Sequence, residues 1–339
     1  MKKTLIAVLA IAGVVACNKT EVVEVAPSNA IQFDNAFVDN ATRAAVDPST
    51  TTESLQEVGF EVYGFMNSAA GVVFNGEDVT YANGKWGYAN TQYWTAGNTY
   101  YFAALAPIGT KVTIAEGDAA KYGVGTVEFT NTDGKTDLLY AAEMRACENP
   151  AAMEVVKFNF NHLLSKVKFS FTNGFANENA TITVKNIKMV VPSNGTINLA
   201  QADWWSTNQW VLGNGTTTLE FGDMETANVK MGATSESANE RLTIPADGTA
   251  EQVYTVTFDV ELYYGTEKAY EASLSTDINW TALEIGKAYN FHAVLNAKNI
   301  VPEDGELYPI EFTATVKDWE NGATYEGGEI VTGTVETEE

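Results

Sequence analysis

Val72-Val73-Phe74-Asn75-Gly76-Glu77-Asp78-Val79-Thr80-Tyr81-Ala82-Asn83-Gly84 is the stretch on which the fold class turns. Its apolar runs, Val72-Val73-Phe74 and Val79 to Tyr81, are short and rich in the β-branched and aromatic side chains that suit a pleated surface. Each run meets an Asn-Gly pair, the dipeptide that reaches positive φ in two-residue hairpin turns. Strands joined at Asn75-Gly76 and at Asn83-Gly84 are the expectation. The same texture continues in both directions. Upstream, Phe60, Val62 and Phe65 begin a strand after Gly59. Downstream come Tyr93-Trp94 and then Tyr100-Tyr101-Phe102-Ala103-Ala104-Leu105, closed by Pro107, which cannot donate to a ladder. Further strands are expected at 127–129, 155–160, 167–171, 182–191, 219–221, 242–244, 254–264, 289–295 and 310–316. Helical periodicity is scarce, with short turns near 119–122 and 281–283 as the best candidates. Many short strands between Gly/Asn turns predict an all-β chain of two β-sandwich domains in tandem. No fixed-period repeat points to a propeller or solenoid.

Length and charge bound the rest. The chain has 339 residues, with 20 basic against 44 acidic side chains and a formal net charge of −24. Its 45% apolar and 11% aromatic content belongs to a globular protein. An acidic balance of this size disfavours nucleic acid, which needs a Lys/Arg footprint, and disfavours adhesion to anionic lipid by charge. Two His and two Cys make a multi-ligand zinc or iron–sulfur site from these ligands unexpected. No metal and no cofactor are expected.

The first 17 residues read as a lipoprotein signal peptide. Lys2 and Lys3 form a charged start, and Leu5 to Val15 form an apolar stretch too short to span a bilayer, which needs about 20 residues. It ends Val14-Val15-Ala16-Cys17, similar to a bacterial lipobox, so cleavage is expected between Ala16 and Cys17, with lipid on Cys17. That makes it an exported, lipid-anchored protein of the cell envelope. With Cys17 acylated, Cys147 has no partner and reads as a small apolar filler. Residues 18–43 then form a tether and a first strand, in which Ile31 and Phe33 alternate before Phe37. Residues 44–157 are expected to form the N-terminal sandwich and 158–339 the C-terminal one. The connector Glu148-Asn149-Pro150 precedes the strong strand that opens the second.

Catalytic constellations are sparse. His162 stands three residues before Ser165, but no nucleophile elbow surrounds that Ser. A hydrogen-bonded structural role fits His162, and the same reading applies to His292 on its alternating strand. Asp133-Gly134-Lys135-Thr136-Asp137 holds a turn without the oxygen-ligand run of an EF-hand loop. Phosphate-cradling glycine loops are also missing. Abundant carboxylates leave a glycosidase pair open but uninformative. Trp204, Trp205 and Trp210 cluster beside Asn208 and Gln209. Such rings either stack on sugars or close the end of a sandwich core.

Several stretches together resemble the fimbrillin family, the type V pilin or Mfa-like lipoproteins of Bacteroides-type bacteria. They are the lipobox Cys17, Ile31-Gln32-Phe33 followed by Ala41-Thr42-Arg43-Ala44, Gly84-Lys85-Trp86, and Tyr100-Tyr101-Phe102-Ala103-Ala104-Leu105-Ala106-Pro107. Asp137-Leu138-Leu139-Tyr140-Ala141, Phe158-Asn159-Phe160-Asn161-His162-Leu163-Leu164-Ser165-Lys166, Gly286-Lys287-Ala288-Tyr289-Asn290-Phe291 and Val316-Lys317-Asp318-Trp319 continue the series over nearly the whole chain. The resemblance implies two sandwich domains and export to the surface as a lipoprotein of the cell outer membrane. In assembling members a trypsin-like protease cuts after an Arg, here between Arg43 and Ala44. The first strand then leaves, and a strand from another subunit fills its groove. Glu329-Ile330-Val331-Thr332-Gly333-Thr334-Val335, in an acidic tail, is the candidate donor strand.

Three functions follow as expectations. The first is a non-enzymatic structural subunit of surface fimbriae (shaft, tip or anchor) mediating adhesion, with other fimbrial subunits and a host or bacterial surface ligand as partners. The alternative is a glycan-binding surface lipoprotein using Trp204, Trp205 and Trp210. A secreted glycoside hydrolase has least support. Exposed Trp rings on one flat face favour the glycan reader, and buried ones favour the pilin.

Overall fold

The computed structural model describes residues 29–34, 36–38, 51–67, 70–113, 124–200, 210–245, 252–280, 283–301, 308–319 and 329–332. In chain order the strands are β1 (Phe37–Val38), β2 (Phe60–Met66), β3 (Val72–Ala82), β4 (Lys85–Gly87), β5 (Asn98–Ala106), β6 (Lys111–Thr113), β7 (Thr126–Thr130) and β8 (Leu139–Cys147). Then come β9 (Asn159–His162), β10 (Ser165–Asn173), β11 (Ala180–Pro192), β12 (Asn194–Asn198), β13 (Trp210–Leu212), β14 (Thr216–Gly222) and β15 (Val229–Lys230). The last are β16 (Thr234–Glu236), β17 (Arg241–Thr243), β18 (Gln252–Tyr264), β19 (Glu267–Trp280), β20 (Lys287–Leu295), β21 (Phe312–Asp318) and β22 (Glu329–Thr332). Two short α-helices, α1 (Thr52–Val58) and α2 (Ala297–Ile300), accompany them. The fold is all-β, as the strand-and-turn pattern predicts.

Four sheets build two sandwiches. A seven-stranded sheet runs β1-β9-β8-β5-β2-β3-β4, and a four-stranded sheet runs β13-β12-β7-β6. The alternation of the seven-stranded sheet feeds two cores. Along β5, Tyr100, Phe102 and Ala104 join one apolar cluster, while Ala103 and Leu105 join the other. The second cluster lies toward the four-stranded sheet and takes in Val127, Ile197 and Trp210. The first is closed by segment 29–38, by Leu55 of α1 and by Trp86 and Trp94. Farther along, β16, β10, β20, β21 and β22 form one sheet, and β14, β11, β18 and β19 form another. Phe169, Phe171, Phe258, Phe291 and Phe312 fill the core between these two.

Bulges in β3 and β11 reset the alternation. Asn75-Gly76 is not a hairpin turn. It lies inside β3, where Val62 pairs with Glu77 and Tyr63 with Asn75, leaving Gly76 as the extra residue at φ 72°. One inserted residue shifts the side-chain period, so Phe74 and Val79 both reach the first core despite their odd separation. Asn186, at φ 51°, does the same in β11, where Val184 and Ile187 both face the core. The other pair, Asn83-Gly84, does make the expected turn between β3 and β4, with both residues at positive φ.

α1 was not expected from the sequence. Thr51 caps it, its side chain accepting from the Ser54 amide while the Ser54 hydroxyl accepts from the Thr51 amide. Gly59 at φ 66° ends it. The proposed helical turn at 119–122 lies outside the described residues, as do residues 281 and 282 of the other. The expected division at 157/158 is crossed by hydrogen bonding. β9 pairs with β8, and β12 pairs with β7 over Asn194–Asn198 and Thr126–Thr130. Residues 194–198 and 210–212 thus belong to the sheet of the first sandwich, though they follow β10 and β11 of the second.

Candidate functional site: the groove under the first strand

Segment 29–38 occupies a groove along the edge of the seven-stranded sheet. Its alternation puts Ile31 and Phe33 inward, with Gln32 and Asp34 exposed, as expected for a half-buried strand. Ile31, Phe33, Ala36 and Val38 are each no more than 4% exposed. The segment runs parallel to β9, with Phe37 opposite Asn159, Val38 opposite Phe160 and Phe33 opposite Val156. Asp34 donates to the Val156 carbonyl (3.1 Å), and Val156 donates to that of Gln32 (2.8 Å).

The other end of the segment is tied to residues 92–94. Ile31 donates to the Gln92 carbonyl (2.8 Å) and Trp94 to that of Asn29 (2.9 Å). The Tyr88 hydroxyl donates to the Ile31 carbonyl at 2.6 Å. Tyr93 therefore serves as a bridge partner of Ala30 rather than as part of a strand of its own.

Phe33 anchors the segment. Its ring lies within 5.4–6.3 Å of Phe60, Phe74, Tyr88, Phe102 and Phe158, stacked on Phe158 and edge-on to Phe60, Tyr88 and Phe102. Such pairs add about 0.5–1.5 kcal/mol each beyond area burial. With the segment gone, β9 would become the sheet edge, with unpaired backbone groups beside an uncovered aromatic pocket. An extended chain bearing alternate apolar residues satisfies both needs together.

The sequence profile of a family described as fimbrillin-like matches residues 42–319. The chain belongs to the fimbrillin-like family. Among solved structures, a fimbrial protein from Bacteroides vulgatus shares the fold of this fimbrillin-like chain with a TM-score of 0.58. Its identity is 14%, covering 86% of this chain and 99% of that one. A putative cell adhesion protein from Bacteroides uniformis (18% identity, TM-score 0.46, 86% and 98% covered) is more distant in structure. So is the fimbrial anchor protein Mfa2 from Porphyromonas gingivalis (15%, 0.37, 88% and 98%). The search of curated proteins finds no match.

Other residues singled out in the fimbrillin-like sequence fall as follows. Ala16, Cys17, Arg43, Ala44, Trp204 and Trp205 lie outside the described residues. Trp210 corrects the glycan-contact expectation. It is fully buried, 6.4 Å from Phe129, and its Nε1 donates to the Leu163 carbonyl (2.9 Å), so it presents no face to a sugar. Cys147 is free and buried beside the first core.

His162 does not engage Ser165, whose hydroxyl donates to the Glu284 carbonyl (2.7 Å). Its Nδ1 instead meets Asp137 Oδ2 at 2.8 Å, and its ring stacks on Trp319 at 3.9 Å with 5° between the planes. Lys166 Nζ lies 5.3 Å from the same indole. Asp137 precedes β8 while Trp319 follows β21, so the stack fastens the two sandwiches to each other. Sequence reading missed Asp137. The signal available was a lone buried-strand His needing a polar partner, but 25 residues of separation hid which one. Among the described residues no group of three metal-ligating side chains converges.

Proposed function

We propose that the protein is a non-enzymatic structural subunit of surface fimbriae, exported as a lipoprotein whose uncleaved precursor is anchored through Cys17. Cleavage after Arg43 frees residues 29–38, and a strand from another subunit takes their place. The observation that carries this reading is the seating of segment 29–38, with Phe33 ringed by five aromatic side chains along an otherwise open sheet edge. A segment bound along its backbone and by alternate side chains can be replaced by another of similar pattern, because the ladder is indifferent to sequence and the pockets ask only for apolar groups. Membership of the fimbrillin-like family supports the assembly role.

The tail supplies a candidate donor. β22 pairs with β21 at an edge of the second sandwich through four residues, Glu329–Thr332. Two acyl chains on Cys17 would supply a stable anchor, each buried CH₂ contributing ~0.8 kcal/mol.

The test is made on cells producing single variants. Cys17→Ser should leave the membrane fraction, and Arg43→Ala should stay in it while losing the high-molecular-weight ladder of assembled subunits. Membrane retention of the first, or an undiminished ladder from the second, would count against the proposal.

A further inference from the structure

The second sandwich carries a cleft on the outside of its β10–β20–β21 sheet, remote in sequence from the groove. Along β20, Tyr289, Phe291, Ala293 and Leu295 turn into the core, so His292 and Val294 face outward. With Thr313 of β21 and the turn around α2 they bound a cavity of about 360 Å³. That is near the lower end of the range for small-ligand sites, about 300–1,000 Å³.

The wall chemistry is mixed and largely unspent. Asn296 uses its Oδ1 to accept from the Lys298 amide (2.9 Å), leaving its side-chain N–H donors without a partner among the described residues. The Glu311 carboxylate is exposed and makes no hydrogen bond or ion pair with them. His292 is held by a 2.8 Å hydrogen bond between Nε2 and the Thr172 hydroxyl, which leaves Nδ1 without a partner among the described residues. At the rim the Tyr308 ring is 62% exposed. Its backbone amide donates to the Lys298 carbonyl (3.1 Å), which holds the backbone from which the ring projects.

We propose that this cleft binds a neutral saccharide of mono- or disaccharide size. A pyranose offers polarised C–H groups to the negative face of an aromatic ring, and hydroxyls that both donate and accept. The cleft supplies that set, with Tyr308 as the plate, Asn296 and Lys298 as donors and Glu311 as acceptor. Charge narrows the ligand further. Lys298 and Glu311 both line the cleft, so its wall carries both signs, and the chain's −24 charge repels acidic sugars. A cationic ligand is disfavoured, because it would meet the like charge of the Lys298 ammonium, 5.8 Å from the Tyr308 ring centroid. The proposal goes beyond the assembly reading and stands apart from it, since strand exchange requires no ligand here.

The test uses the full chain on an array of neutral and acidic mono- and disaccharide glycosides, followed by calorimetric titration of the best neutral binder. Saturable binding that falls at least tenfold in both Tyr308→Ala and Glu311→Gln, with melting temperatures unchanged, is the expected result. Three outcomes would overturn the proposal. They are no saccharide bound, acidic glycosides preferred, or binding that survives both variants but is lost in Trp204→Ala or Trp205→Ala.

Discussion

Replacing Phe33 by Ala tests whether segment 29–38 is held as the contacts indicate. The side chain is 4% exposed and touches five aromatic rings, and those neighbours belong to β2, β3, β5, the loop at Tyr88 and the run before β9. They cannot all move inward to refill the space. Buried Phe→Ala changes of this kind cost about 3–5 kcal/mol. The loss should fall on the segment's attachment, because Ile31, Ala36 and Val38 would be left to hold it. At about 1.4 kcal/mol per tenfold, local release should become more than about a hundredfold more frequent. Hydrogen exchange read by mass spectrometry reports this directly through the amides of Ile31, Asp34 and Val156, which are bonded across the groove. A peptide from β18, in the separate core of the second sandwich, serves as the unaffected control. Exchange at the groove within about threefold of the parent would refute the claim that Phe33 anchors the segment, as would an equal rise in β18.

Two further outcomes are expected. Trp210→Ala should lower stability by about 3–5 kcal/mol in denaturant unfolding, because it empties a fully buried site and leaves the Leu163 carbonyl unpaired; a loss below 1 kcal/mol would return the ring to the surface. Burial holds the His292 imidazole below its ordinary 6.5, so between the folded value and 6.5 the unfolded chain binds more protons, and stability should fall as pH drops through that window. His292→Gln should remove this part of the pH dependence in thermal melts, and an unchanged slope would contradict the assignment.

Strand texture was readable because the cores are built from alternating Phe, Tyr, Val and Ile, and the turn at Asn83-Gly84 follows from dihedral preference alone. Asn75-Gly76 looked identical locally. Only pairing with β2 decides that Gly76 is a bulge, and a Cβ there would come within 3.2 Å of the Tyr63 hydroxyl. α1 escaped because one buried side chain, Leu55, shows no period; its capping residues were the legible part. The sharing of β12 and β13 with the first sandwich is a long-range pairing with no local signature. The groove was half legible. Alternation at Ile31 and Phe33 announced an inward face, whereas the parallel register with β9 and the aromatic ring around Phe33 come from residues up to 125 positions away. The Trp cluster could not be resolved by composition, since a sugar platform and a core lid need the same residues.

In the proposed mechanism assembly depends on exit of the first strand, and limited trypsin digestion of the purified full-length protein measures it most directly. Native mass spectrometry and light scattering are recorded before and after digestion. The account predicts a cut between Arg43 and Ala44, departure of the fragment carrying residues 29–38, and oligomers in the nicked sample alone, with Arg43→Ala blocking all of these. A nicked protein that keeps its fragment, or that loses it and stays as monomeric as the intact chain with donor-capable subunits present, would contradict the account.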